Sequence, residues 1–322
     1  MHDAWYKTSS MKGPLFYAKI LLFGEYGIIK NSKGLAIPYN AAKGALKIDE
    51  HPSAKALDSN KKLAKYATYL EQLQHDQPQQ FSFEIDRLKE DINKGLYFDS
   101  SIPEGYGIGS SGALVAAIYS NYATDKITVL ENLTREKLLE LKKLFGTMES
   151  FFHGTSSGLD PLNSYLSLPI LIQAENQVVS TAIPSQNING KGAVFLLDSG
   201  MVGETAPMIQ IFFEKMKTEG FRTMLVNKFI KHTDACVDDF ISGNFNSLFK
   251  HLKELSGVVL KNFKPMIPSQ FHEVWQKGIE TNDYYLKLCG SGGGGYILGF
   301  TEDLEKAKKS LKGHQIEVVY TF

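Results

Sequence analysis

The chain has 322 residues, with 35 Lys plus Arg against 35 Asp plus Glu, so its formal charge is zero; 43% of residues are hydrophobic and 22% charged. This composition excludes a disordered chain, and the neutral charge argues against a broad surface for nucleic acid or anionic membrane. The length points to two domains, with a core large enough to bury most of the apolar side chains.

Residues 14–50 read as strands joined by turns. Positions 15–23 are apolar and β-prone apart from Lys19, and Gly24, Gly27 and the Asn31-Ser32-Lys33-Gly34 turn punctuate the stretch. Residues 51–80 are polar, with a helix over 61–74, and 81–85 alternates as a strand does. A glycine loop over 103–112 then opens a helix of small residues, 113–123. A stronger helix covers 134–152. Thr134 caps it, and Leu138, Leu141, Phe145 and Met148 share one face at i, i+3, i+7 and i+10. Glu149 is at i+11 from Leu138, on the same inward face, where a carboxylate needs a metal, a cation or hydrogen-bond donors.

The loop at 153–160 reads HGTSSGLD, and strands are expected at 164–173 and 177–183. The polar SQNINGKG stretch at 185–192 makes a linker. A buried strand at 193–197 starts the second half, followed by helices near 206–218, 222–241, 244–258 and 268–279. Strands near 284–289 and 295–300, a helix near 303–312 and a last strand at 315–321 complete the chain. Helices and strands mix without a regular βαβ rhythm, so the class is α+β.

The two cysteines, Cys236 and Cys289, are too few for a disulfide framework and have no zinc spacing, which favours a reducing cytoplasm. The opening MHDAWYKTSS lacks the apolar stretch of a signal peptide, and the longest apolar runs, such as 20–23 and 113–119, fall far short of the ~20 residues that span a bilayer. A soluble cytoplasmic protein is expected.

Nine of the 28 glycines sit in two short segments, four in 103–112 and five in 290–295. In Pro103-Glu-Gly-Tyr-Gly-Ile-Gly-Ser-Ser-Gly112 the glycines let backbone N–H groups approach a ligand, and the helix that follows turns its positive end toward the loop. Such a segment is built to cradle phosphate; the plainer alternative is a tight turn with serine caps. Gly107 to Gly112 formally matches G-x-G-x-x-G, but a dinucleotide site needs a buried parallel strand just before it, and Phe98-Asp-Ser-Ser-Ile-Pro103 is polar and ends in proline. The only Gly-Lys pair, Gly190-Lys191, is followed by Gly192, which breaks the P-loop pattern, and the protein-kinase H-R-D and D-F-G triplets are absent. Five glycines in the six positions 290–295 would destabilise a simple hairpin, so close approach to a ligand or to the first domain explains them better.

The P-x-G-x-G-x-G-S-S-G form resembles the phosphate loop of the GHMP kinases, the superfamily of galactokinase, homoserine kinase, mevalonate kinase and phosphomevalonate kinase. Residues 18–36, AKILLFGEYGIIKNSKGLA, resemble that family's first motif, and 287–298, KLCGSGGGGYIL, its third. The ESFFHGTSSGLD segment from Glu149 to Asp160 is most similar to mevalonate kinases. The chain carries Tyr26 where those enzymes usually have histidine, and Gly112 and Ser291 where they usually have alanine.

The resemblance implies a two-domain α+β GHMP kinase fold. A first domain over 1–188 would be like the second domain of ribosomal protein S5, and a second over 189–322 would be ferredoxin-like. It implies ATP and Mg²⁺ as cofactors. Pro103, Gly105, Gly107, Ile108, Gly109, Ser110, Ser111, Gly112 and Ala113 would bind the nucleotide. Ser111 and Glu149 would ligate Mg²⁺. Asp160 and Lys19 would be catalytic, Asp160 beside the attacking hydroxyl and Lys19 near that hydroxyl and the γ-phosphate. Glu25, Tyr26, Gly292 and Gly293 would contact the substrate. His153 is expected to orient its neighbours or to serve structure.

The reaction implied is phosphorylation of a small-molecule hydroxyl, with mevalonate as the acceptor, by a monomer or homodimer with no nucleic-acid or membrane partner. Its rivals are another acceptor of the class (phosphomevalonate, a sugar or homoserine), a diphosphomevalonate decarboxylase, a non-catalytic ligand-sensing relative and a dinucleotide-binding oxidoreductase.

Overall fold

In the computed structural model, residues 13–128, 133–173 and 177–322 are described; the MHDAWYKTSS segment lies outside them. β1 (Phe16–Phe23) pairs antiparallel with the 15-residue β2 (Gly34–Ile48). After α1 (Ala54–Asp76), α2 (Ile85–Asn93) and β3 (Leu96–Ser100) come three helices, α3 (Ser110–Tyr122), α4 (Arg135–His153) and α5 (Leu159–Leu166). Two short strands, β4 (Ile170–Ile172) and β5 (Val178–Ser180), close this part. The sheet runs β1-β2-β4-β5, with β3 on the far half of β2, and every pairing is antiparallel. α3 is rich in Ala and Ser, and its small side chains let it pack against β1, β2 and α5 together.

The second sheet begins with β6 (Ala193–Asp198), buried almost throughout. Helices α6 (Thr205–Met216) and α7 (Glu219–Met224) follow. A π-helical turn, Leu225–Ile230, continues into α8 (Lys231–Ser242), and then come α9 (Phe245–Asn262) and α10 (His272–Thr281). β7 (Tyr285–Leu288), β8 (Tyr296–Thr301), α11 (Leu304–Ser310) and β9 (Ile316–Thr321) complete it. The strand order β7-β8-β6-β9 on a βαββαβ path is that of a ferredoxin-like unit, as expected.

One apolar core runs between the sheets. Phe23, at the end of β1, stacks on Phe300 of β8 at 5.4 Å and meets Phe240 of α8 edge-on at 6.3 Å. The turn after β1 is tied to α8, where Asp234 accepts from Lys33 N at 2.7 Å and from Ser32 Oγ at 2.9 Å. Both cysteines are free and buried. No described helix is long and apolar enough to cross a membrane.

Two expectations need correction. Residues 81–85 do not form a strand: Phe83 makes a single bridge with Ala123, and Ile85 already starts α2, whose buried Ile85, Leu88 and Ile92 recur at helical spacing. The strand expected at 164–173 is only β4; Leu159, Leu162 and Leu166, at i, i+3 and i+7, bury one face of α5 instead. The polar approach at 98–103 starts within β3, whose residues 97–100 are only partly buried.

Candidate active site

Gly105, Gly107 and Gly109 have φ of +77°, +78° and +80°, a region that L side chains rarely adopt. The loop they shape ends at α3, with Gly109 as its left-handed N-cap and Ser110 and Ser111 in its first turn. The first N–H groups and positive end of a 13-residue helix therefore face the loop, an arrangement suited to an anion. Ile108 and Ala113 are buried behind it. The Ile108 carbonyl accepts from Lys19 N at 3.0 Å, and Ala113 N–H donates to Gly109 O at 3.1 Å, so these two shape the cradle. Pro103, Gly105, Gly107, Ser110 and Ser111 remain at least partly exposed.

Gly112 serves packing. A Cβ there would come within 2.7 Å of the Asp160 carbonyl carbon and of Pro161 N. Its absence lets the start of α5 lie against α3, and this sets Asp160 beside the loop. A Cβ at Gly109 would lie 3.0 Å from Lys19 Cγ and 3.5 Å from Asp160 Oδ2, so the loop also abuts that pair.

Lys19 projects from the middle of β1 and is 5% exposed; its Nζ lies 2.9 Å from Asp160 Oδ1. Burial pulls the ammonium pKa down, but the Asp160 carboxylate, helped by Glu149 and Cys289, overrides this and the net shift is upward. Lys19 is therefore charged at neutral pH. Asp160 stands in the first turn of α5, where the helix dipole favours a carboxylate.

Glu149, on α4, is 3% exposed. It accepts from Ser111 Oγ at 2.8 Å and from Ser156 Oγ, and His153 Nε2 lies 2.9 Å from the same Ser111 oxygen. Burial, then the negative charge of Asp160, pushes the Glu149 carboxyl up to about 7, against the pull of the two serines and Lys19. A dry carboxylate held beside a second one is a place that an added cation would relieve. Ser111 Oγ and Glu149 Oε1 are hard oxygen donors, and their 2.8 Å separation matches the ~2.9 Å between neighbouring ligands of an octahedral Mg²⁺. Among the described residues no group of three or more His, Cys, Asp or Glu could hold a metal ion. A metal here would rest on these two side chains together with water and substrate oxygens.

The 290–295 glycines lie on the first loop. A Cβ at Gly107 would meet the Cys289 carbonyl oxygen at 2.6 Å, and one at Gly295 the Tyr106 Cα at 2.5 Å. Gly203 N–H donates to Gly105 O at 2.9 Å and Tyr296 N–H to Tyr106 O at 3.3 Å. Close backbone approach accounts for this cluster. Gly292 and Gly293 pack on Met266 and Met208, and Gly293 N–H donates to Met266 O at 2.7 Å, so they shape this loop's outer side.

The two acceptor residues expected from sequence, Glu25 and Tyr26, spend their polar groups on Lys287 and Ser291. Glu25, 7% exposed, is ion-paired with Lys287, which is 4% exposed and also donates to Leu288 O at 2.9 Å. Burial pushes the Glu25 carboxyl up, and Lys287 opposes the shift without cancelling it. Tyr26 holds a positive φ of 59°, donates its hydroxyl to Ser291 O at 2.6 Å and stacks on Phe212 at 4.7 Å. Sequence reasoning missed Lys287 and Ser156. Lys287 carries the signal that singled out Lys19, a lysine inside an apolar strand. Ser156 has no such signal until its loop folds back over Glu149.

The strand before the loop, β3, runs antiparallel to β2, which is not the parallel strand of a dinucleotide-binding unit. The family model of the GHMP kinases N terminal domain matches residues 66–167. No curated protein matches the sequence. Among solved structures, the chain is similar to L. major mevalonate kinase in complex with R-mevalonate, at 17% identity, 95% coverage of each chain and a TM-score of 0.63. It is similar to Streptococcus pneumoniae phosphomevalonate kinase in complex with phosphomevalonate and AMPPNP, at 13% identity, 95% and 98% coverage and a TM-score of 0.61. It is also similar to Lactococcus lactis galactokinase complexed with galactose, at 12% identity, 95% and 92% coverage and a TM-score of 0.57. Residues 66–167 thus match the GHMP kinases N terminal domain, in a chain that has the GHMP kinase fold.

Proposed function

We propose that this protein catalyses the ATP- and Mg²⁺-dependent phosphorylation of a small-molecule hydroxyl, with mevalonate as acceptor and 5-phosphomevalonate as product. The observation that carries the reading is the Lys19–Asp160 pair, 2.9 Å apart beside the glycine loop and next to the hydrogen-bonded Ser111 and Glu149. The loop N–H groups and the α3 dipole take up triphosphate charge. Asp160 orients the acceptor hydroxyl and accepts its proton as the oxygen bonds to the γ-phosphorus and ADP departs. Lys19 offsets negative charge on the attacking oxygen and on the transferred group. Mg²⁺, when bound by Ser111 and Glu149, supplies charge neutralisation at phosphate oxygens.

In this reading residues 1–188 form the ATP-binding domain and 189–322 the second domain, the boundary falling between β5 and β6. The protein acts in the cytoplasm, as a monomer or homodimer, without nucleic-acid or membrane partners. One observation favours a different acceptor of the same class, such as phosphomevalonate, a sugar or homoserine. Tyr26, where mevalonate kinases usually have histidine, has its hydroxyl engaged by Ser291 O. ADP release measured over a panel of mevalonate, phosphomevalonate, galactose and homoserine separates the two readings. Release with mevalonate supports the first, release with another acceptor alone replaces the substrate, and release with none removes the kinase reading.

A further inference from the structure

Four charges form two ion pairs, Lys19 with Asp160 and Lys287 with Glu25. Glu25 lies two residues beyond the end of β1, so it and Lys19 come from the same short stretch of chain. Their charges interact, since Lys19 helps to hold the Glu25 carboxyl down. Cys289 follows Lys287 by two residues; its thiol, pushed up to about 11 by burial, responds to both lysines, to Glu25 and to Asp160. The walls near Glu25 and Lys287 are largely apolar, formed by Phe229, Leu255, Val259 and Leu288, and the Lys287 ammonium lies 5.9 Å from the Phe23 ring centre. A carboxylate in such surroundings stays ionised only beside a cation and otherwise takes up a proton. Both lysines act electrostatically on Glu25, and the observed pairing, Lys287 with Glu25, leaves Lys19 to Asp160.

We propose that Lys287 is a positioning residue for the phosphoryl-transfer centre: it holds Glu25 away from Lys19 and so reserves Lys19 for Asp160. The proposal rests on the kinase reading above. Lys287 reaches no reacting atom itself; it acts by occupying the competing carboxylate, and its second bond, to Leu288 O, anchors it to its own strand. Without Lys287, Glu25 recruits Lys19, and Asp160 loses the partner that sets its orientation.

The test is a double-mutant cycle of wild type, Lys287→Met, Glu25→Gln and the double variant, with kcat and nucleotide KM measured at saturating acceptor. Lys287→Met is expected to lower kcat about tenfold or more, with the nucleotide KM changed by less than about twofold, while the same change in the Gln background costs less than about threefold. Equal losses in both backgrounds overturn the proposal. Crystal structures of Lys287→Met and Lys287→Gln give a second readout, which needs no activity and survives misfolding of either single variant. Lys19 Nζ is expected within hydrogen-bond distance of the Glu25 carboxylate; Lys19 still bound to Asp160 alone overturns it. If wild type transfers phosphate to no acceptor, the kinase reading fails by itself, and the crystal structures still decide how the four charges are shared.

Discussion

Glu149 shows how far surroundings change a residue's chemistry. Its folded carboxyl, pushed up to about 7 mainly by burial, binds a proton more tightly than an unfolded one at the ordinary 4.5. A raised folded pKa gives stability that is complete below the unfolded value and is lost as pH rises through the folded one. In metal-free protein, stability should therefore decline between about pH 4.5 and pH 7, by up to about 3 kcal/mol from this group. Urea midpoints of wild type and Glu149→Gln across that range check it: the variant should lack this part of the decline, and parallel curves would refute the assignment. Both Glu149 and Lys19 were legible in the sequence, one from its place on a helical apolar face and the other as a lysine in an apolar strand. Lys287 was not singled out, because its strand has only four residues and runs straight into a glycine motif. Its partner lies 262 positions away, a pairing that local patterns do not encode.

At the scale of elements, the decisive contact is between the starts of α3 and α5, where Gly112 meets the Asp160 backbone. Gly112→Ala places a methyl 2.7 Å from backbone atoms that cannot rotate away. It should cost about 1–3 kcal/mol of stability and lower kcat by moving Asp160. Thermal melts and steady-state kinetics measure both effects, and a variant with wild-type kcat would show that this contact does not position Asp160. The sequence was misread where short apolar runs allow two periods. Phe81 and Phe83 alternate as in a strand, yet they stack on each other at 6.4 Å just before α2 begins. Leu159 to Leu166 has a helical period, but the apolar stretch that follows it suggested a continuous strand. A left-handed Ser167 ends α5 and separates the two. Helices with caps and long apolar faces, such as α4 behind Thr134, were legible to within a residue or two.

For the whole molecule, the zero net charge conceals a local arrangement of Lys19, Lys287, Glu25, Glu149 and Asp160, four of them almost fully buried. The two glycine clusters, separated by nearly two hundred residues, touch because the two sheets share one core through Phe23, Phe240 and Phe300. The α+β class followed from the mixture of elements, and the fold expectation from the order of the motifs. The strand order β7-β8-β6-β9 and the bond from Tyr26 to Ser291 depend on pairings that only the folded chain reveals. The central claim is that Lys19 and Asp160 form a phosphoryl-transfer centre. The most direct test is γ-phosphoryl transfer from ATP to mevalonate, followed as ADP release, by wild type and by Asp160→Asn. Wild type should turn over, and the variant, folded to the same melting temperature within a few degrees, should be about 10²–10⁴-fold slower. A variant as fast as wild type would contradict the role given to Asp160, and a wild type inactive on every acceptor tried would contradict the account as a whole.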